Sequence, residues 1–325
     1  TFDSGLFRYD IAGDKLTKVL YGPLEDNALH SEAITSLLAL PDTGLVVGTY
    51  GGGVSVVNSD GKVSRTVRSL AGSRISDIIY TLLMDHDGGI LVGNEQGIAK
   101  LSADLSTITD TDFSTFLIDA GTTTKNINPV ELQHGDDNAI WVGTFQYGLM
   151  KAQRDERLNV TAVNNVTRDL NLPSISVMGI HRDNAGSFWL SHNEGLTRFN
   201  PFTMDARNYK NTFGANIGEF ISGSSYGSSS GTIYFGGFRG VSIVDAYSAE
   251  ETAKPIRIGI ASISLLNRAI DLSADISDLN LDLSYDDKIV TIEMFGAEYI
   301  APSEIKYKYR ISGLGDKWVD LGNDR

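Results

Sequence analysis

The sequence predicts an all-β fold, a β-propeller followed by a truncated Ig-like β-sandwich, and three observations lead to it. A short phrase recurs along residues 1–250: a polar turn, an apolar strand, a second polar turn closed by Gly, and the start of another strand. The Gly-plus-apolar mark of that phrase falls at 5, 53, 97, 148, 195 and 240, at intervals of 48, 44, 51, 47 and 45 residues. A period of that size with several short strands per unit marks propeller blades. Gly is abundant, 34 of 325 residues, and gathers at the turns, as a chain of many hairpins needs. After residue 245 the period stops and a different alternation of apolar and polar residues begins.

The clearest copy of the phrase runs Asp137-Asn138-Ala139-Ile140-Trp141-Val142-Gly143-Thr144-Phe145-Gln146-Tyr147-Gly148-Leu149. Each unit reads as four strands. The innermost, strand A, is apolar and is expected at 34–40, 78–84, 130–133, 176–181 and 219–222. Strand B is the phrase itself, at 45–48, 90–93, 140–144, 188–191 and 233–236. Strand C follows the Gly and alternates at 54–57, 98–101, 196–199 and 241–244. Strand D is outermost, with 63–67 and 206–209 as the visible candidates. The A–B turns carry Asp, Asn and Gly, which tolerate tight reversal. Because Asp42, Asp87, Asp137 and Asp183 recur in those turns, they read as turn formers rather than catalysts. A single blade cannot bury both faces of its sheet, so Trp141 and Trp189 on strand B are assigned to packing between blades.

Residues 1–22 supply the C and D strands of an earlier unit and five units follow, so about five and a half blades are expected, as part of a seven-bladed ring. The chain opens inside a repeat and without Met, which predicts further blades in a longer protein. A ring opening at a C strand leaves an unpaired edge, and predicts self-association or a gap beside the first blade. Residues 251–325 form the second domain. Lys254-Pro255 punctuates the change, alternating strands are expected at 256–266, 288–295 and 305–312, and Ala301-Pro302-Ser303-Glu304 reads as a turn.

The composition excludes several classes. A net charge of −14 argues against a nucleic-acid backbone as partner. With no Cys, disulfides and thiolate chemistry are absent. No apolar run approaches the length of a membrane helix. The five His, at 30, 86, 134, 181 and 192, are spread over different units and turns without His-x-x-x-His spacing, and no phosphate-binding Gly phrase opens a helix, so no cofactor or metal is expected.

The repeats resemble the two-component regulator propeller family. Ile140-Trp141-Val142-Gly143-Thr144 matches its strand closely, and Ile90-Leu91-Val92-Gly93 and Phe188-Trp189-Leu190-Ser191 match with substitutions. The tail resembles the Y_Y_Y domain that follows such propellers, through Lys288-Ile289-Val290-Thr291-Ile292-Glu293, Ala301-Pro302-Ser303-Glu304, Tyr307-Lys308-Tyr309-Arg310-Ile311-Ser312-Gly313-Leu314 and Lys317-Trp318. The resemblance implies the periplasmic, ligand-sensing region of a bacterial inner-membrane receptor of hybrid two-component or diguanylate cyclase type. The sandwich would connect, through a missing downstream membrane segment, to a histidine kinase or diguanylate cyclase. Carbohydrate ligands and a homodimeric full receptor are part of what the resemblance implies. A secreted lectin-like propeller is the first alternative, and a propeller glycoside hydrolase or lyase the second.

One face of a propeller is built from the B–C turns. Here those turns mix aromatics, amides and one Arg, which suits a small molecule or oligosaccharide that stacks on rings and hydrogen-bonds to planar groups. The candidate ligand-binding residues are Tyr50, Gln96, Phe145, Tyr147, His192 and Arg239. Binding without turnover is expected. Tyr147→Ala is expected to weaken binding and to leave stability nearly unchanged.

Overall fold

The computed structural model describes residues 1–22, 27–40, 44–68, 75–102, 105–110, 127–209, 219–245, 257–265, 268–270, 282–285, 287, 289–297, 305–311, 313 and 317–322. Among these residues every regular element is a strand. The chain divides into two compact units, Thr1–Ala249 and Glu250–Arg325.

The first unit opens with a two-stranded half-blade, β1 (Phe7–Asp10) and β2 (Lys15–Lys18). Blade one is β3 (Ile34–Leu40), β4 (Gly44–Thr49), β5 (Gly53–Val57) and β6 (Val63–Val67). Blade two is β7 (Ile79–Met84), β8 (Ile90–Asn94), β9 (Gly97–Leu101) and β10 (Ile108–Asp110). Blade three is β11 (Pro129–His134), β12 (Ile140–Thr144), β13 (Leu149–Arg154) and β14 (Val160–Asn165). Blade four is β15 (Val177–Arg182), β16 (Phe188–His192), β17 (Gly195–Phe199) and β18 (Ala206–Tyr209). Blade five shows three strands, β19 (Phe220–Gly227), β20 (Thr232–Gly237) and β21 (Gly240–Asp245). Each blade is an antiparallel meander in chain order, as a propeller requires.

The period-2 pleat of strand B explains how blades stack. Its two middle residues point to opposite faces and so serve two different neighbours. Val46 and Val92 share one apolar cluster, Leu91 and Val142 the next, Trp141 and Leu190 the third, Trp189 and Phe235 the fourth. Val47 joins Leu6 and Val19 of the half-blade region in a fifth. Trp141, fully buried, meets Phe188 and Phe199 of blade four at ring separations of 5.5 and 5.1 Å. The Gly that ends the strand-B phrase serves the same stacking. A Cβ on Gly93 would lie 2.8 Å from the Pro129 carbonyl of the next blade, and one on Gly143 would lie 3.0 Å from the Val177 carbonyl.

The A–B turns are built on Asp85 and Asp183, a position the recurring Asp only partly marks. Asp183 accepts from the N–H groups of Ala185 (3.0 Å) and Ser187 (2.9 Å), and from Trp189 Nε1 (3.0 Å). It also pairs with Arg198 at 2.9 Å. Asp87 is a turn former one step later, accepting from the Gly89 N–H at 3.0 Å. Asp137 supplies a left-handed turn residue with φ 53°, and Asp42 lies outside the described residues. In blade three, Gly135 takes the Asp183 position, and the buried Trp141 Nε1 has no partner among the described residues.

The innermost strands share one irregularity. The A–B register shifts between Ile34 and Ser36, Ile79 and Thr81, Pro129 and Glu131, and Val177 and Gly179. Blade five shifts over the longer stretch between Phe220 and Ser225. Such bulges re-aim side chains and sharpen twist. At the last of them β19 returns to β3, where a Cβ on Gly223 would lie 2.6 Å from the Thr35 carbonyl. Farther out, blade five presents an uncovered face, with Val241 58% and Ile243 65% exposed.

The second unit contains two small antiparallel sheets, β23 (Arg268–Ile270), β22 (Ile258–Leu265) and β24 (Val290–Gly296) in one, β25 (Tyr307–Tyr309) and β26 (Val319–Gly322) in the other. The Gly296 N–H donates to the Tyr307 hydroxyl at 3.0 Å and ties the sheets together. The alternation read in 305–312 is met only in part: Tyr307 is buried but Tyr309 is exposed, and Lys308 and Arg310 lie over the Trp318 ring. Lys254-Pro255 and residues 301–304 lie outside the described residues.

Candidate ligand-binding site

The bulged strands enclose a cavity of about 910 Å³ on the propeller axis. Strands β3, β7, β11 and β19 form its wall. Their contribution is mainly hydroxyl-bearing: Thr35 and Ser36, Thr81, then Ser222, Ser224 and Ser225. Tyr80 and Tyr226 add phenols. Tyr50 from the β4–β5 turn and Phe145 from the β12–β13 turn stand at the rim, 46% and 47% exposed. The Phe2 ring lies 5.9 Å from that of Tyr50. Asn128, held in the left-handed region at φ 45°, also lines the cavity, and its carbonyl accepts from the Phe145 N–H at 3.3 Å. The combination of ring faces and hydroxyls in a concavity of this size suits a small polyhydroxylated ligand.

One acid stands among the described lining residues. Glu131 follows the bulge in β11, and no Lys, Arg or His shares the lining. Burial pushes its carboxyl up to about 8, against a smaller opposing effect of a hydrogen bond from Leu132. The Tyr80 phenol is also raised, by burial first and then by Glu95 and Tyr50. A general acid–base pair for glycoside hydrolysis takes two carboxylates. Among the described residues no group of three His, Asp or Glu is placed to hold a metal ion.

Of the six residues read from the B–C turns, Tyr50 and Phe145 line the cavity and the other four do not. Gln96 and Arg239 are exposed on their turns. Tyr147 is half-buried and packs on the cluster between blades two and three, so its truncation is now expected to lower stability, contrary to the sequence reading. His192 is 1% exposed. It occupies the last position of strand B, where Thr49, Asn94 and Thr144 also sit, and each of these side chains caps the turn that follows. Thr49 Oγ1 accepts from the Gly52 N–H (3.1 Å), Asn94 Oδ1 from Gln96 (2.9 Å), and Thr144 Oγ1 from Tyr147 (2.9 Å). His192 Nδ1 accepts from the Glu194 N–H at 3.3 Å. Its Nε2 lies 2.8 Å from Thr197 Oγ1, which donates to Asn208 Oδ1 at 2.6 Å. Burial lowers this imidazole to about 4, so His192 is a neutral structural cap. The residues that sequence reasoning passed over are those of the inner strands. Glu131, an acid between Val130 and Leu132 on an innermost strand, was the available signal.

No protein-family model matches the chain. Histidine kinase P4 of Formosa agariphila is 28% identical over 156 residues, 46% of this chain and 11% of that protein. The extracellular domain of a hybrid two-component system of B. thetaiotaomicron superposes with a TM-score of 0.74 at 19% identity, covering 99% of this chain and 42% of that one. The extracellular domain of a one-component system from the same organism gives a TM-score of 0.55 at 20% identity, over 99% of this chain and 43% of that one. The chain thus spans less than half of each solved neighbour and about a tenth of the kinase. The propeller fold read from the repeats is the fold of the matched part of these extracellular domains, and the two-component resemblance agrees with the hybrid system and with the histidine kinase.

Proposed function

We propose that this chain is the ligand-sensing, extracytoplasmic region of a bacterial membrane signalling receptor. The propeller binds a carbohydrate or other small polyhydroxylated ligand in its axial cavity. The β-rich unit that follows passes occupancy to a histidine kinase or diguanylate cyclase in a homodimeric, periplasm-facing receptor. The observation that carries the binding reading is the cavity itself: ring faces of Tyr50 and Phe145 at the rim and a hydroxyl-lined wall below. The similarity to extracellular domains of signalling systems and to a histidine kinase supports the receptor context. A single carboxylate among the described lining residues favours binding over hydrolysis. The net charge of −14 and the absence of basic residues among the described lining disfavour nucleic acid.

The test is a glycan panel titrated calorimetrically into the protein, repeated with Phe145→Ala and Tyr50→Ala. Loss of a stacked ring is expected to cost roughly 1–3 kcal/mol of binding. A ligand that binds both variants as well as the parent places the site elsewhere. Steady glycan hydrolysis, abolished by one carboxylate substitution, would overturn the non-enzymatic reading. A membrane anchor encoded downstream separates the receptor from a free lectin.

A further inference from the structure

The two buried aspartates of this propeller are paired, and the half-buried Glu131 is not. Asp85 is fully buried and is met by Lys100 at 2.6 Å and Arg154 at 2.9 Å. Asp183 is met by Arg198 at 2.9 Å. Glu131 has no ion pair among the described residues, although it is the one acid among the described residues that line the axial cavity. An acid that the protein leaves unpaired inside a cavity is one whose charge a cationic ligand can call up and complete.

We infer that the axial cavity selects a ligand bearing a protonated amine on a polyhydroxylated body, such as a sugar with a free amino group, and that Glu131 receives the ammonium. This rests on the reading of the cavity as the ligand site. Three observations support it. The described lining offers no Lys, Arg or His, so a sulfate or carboxylate on a ligand would find no basic side chain and would face Glu131. Tyr50, Tyr80 and Phe145 present ring faces, which attract a desolvated cation and also accept the C–H face of a sugar. Ser222 and Ser224 belong to the same wall and are hydroxyl-bearing, as the sugar's own hydroxyls require.

The chemistry carries its own readout. Burial keeps Glu131 protonated near neutral pH, since its carboxyl stands at about 8. An arriving ammonium favours the carboxylate, so the acid gives its proton to the buffer and the complex is a carboxylate–ammonium pair. The other titratable side chains on the cavity wall are the phenols of Tyr50, Tyr80 and Tyr226, with Glu95 acting on Tyr80; from β3 only hydroxyl and apolar groups face inward. The Tyr80 phenol, raised by its burial, stays neutral in this range.

The probes are chitobiose with both amines free, its diacetylated form, and cellobiose, which share the linkage and differ at the 2-position. Each is titrated at pH 7 in two buffers of different ionisation enthalpy, into the parent, Glu131→Gln and Phe145→Ala. The free-amine sugar is expected to bind at least ten-fold tighter than cellobiose and to release up to about one proton per ligand. Glu131→Gln is expected to abolish both the preference and the proton release. Equal affinity for all three sugars, an unchanged preference in Glu131→Gln, or no binding of the free-amine sugar at about 10 mM overturns the inference. In any of these cases the cavity reading survives if Phe145→Ala weakens whichever glycan does bind, and falls with the inference if it does not.

Discussion

At the residue scale the buried carboxyls respond to pH in opposite directions. Burial works against the Asp85 charge, but Lys100, the His86 N–H and Arg154 outweigh it and hold the carboxyl below its usual 3.8. A folded value below the unfolded one stabilises above about pH 4 and is lost as the pH falls through the folded value. Asp85→Asn is expected to cost roughly 3–5 kcal/mol at pH 7, because Arg154 and Lys100 are left without their acid. The melting-temperature gap to the parent should narrow below pH 4. Glu131 behaves the other way. Its folded value of about 8 lies above the usual 4.5, so the folded state keeps a proton that the unfolded chain has released between those values. Stability from this group is full below pH 4.5, declines toward pH 8 and is absent above it. Glu131→Gln should therefore gain in melting temperature relative to the parent as pH rises from 5 to 9; a pH-independent difference would contradict the assignment. Tyr50 and Phe145 were legible in the sequence because a turn residue with a large ring is unusual and exposed by position. Glu131 was harder to read, since nothing in a linear run says that a strand lines a cavity.

At the element scale the repeat was legible wherever burial imposes a pattern. In blades one, two and four, strands A, B and C appear at the expected places because both faces of the blade are covered. The outer strands β10 and β14 were not anticipated. They pack on one side only, and β14 alternates weakly, with half its residues polar. The bulges were invisible for a different reason: a register shift is a property of two paired strands, and either strand alone reads as regular. The role of the strand-B Gly also needed the structure. As a turn residue Gly93 would tolerate Ala, but as a stacking residue it cannot, since the new methyl would meet the Pro129 carbonyl. Gly93→Ala is expected to lower stability by roughly 1–3 kcal/mol by denaturant titration. Gly51, with open space where its Cβ would stand, has φ 100° and should show only the backbone cost, about 1 kcal/mol.

At the scale of the whole propeller, stability is a sum over junctions between neighbours. Trp141 sits in a complete junction, and Trp141→Ala should cost roughly 3–5 kcal/mol through the cavity left between blades three and four. Tyr234 holds the same strand-B position in blade five, but it is half-buried and its ring partner Tyr226 is 63% exposed. Tyr234→Ala is expected to cost less than about 1 kcal/mol. Equal costs for the two substitutions, measured by the same denaturant titration, would mean that the blade-five face is covered in solution.

The alternation in strand B has a consequence for descent. Each repeat carries both halves of a joint, one residue that fits the unit ahead and one that fits the unit behind. A duplicated segment of about one period would bring a complete pair of fittings and leave every older joint chemically unchanged. Lineages of such chains are therefore free to gain or shed units one at a time, each step folding. What selection must hold constant is the complementarity of adjacent units, so drift in Val46 or Leu91 is tied to matching drift in Val92 or Val142.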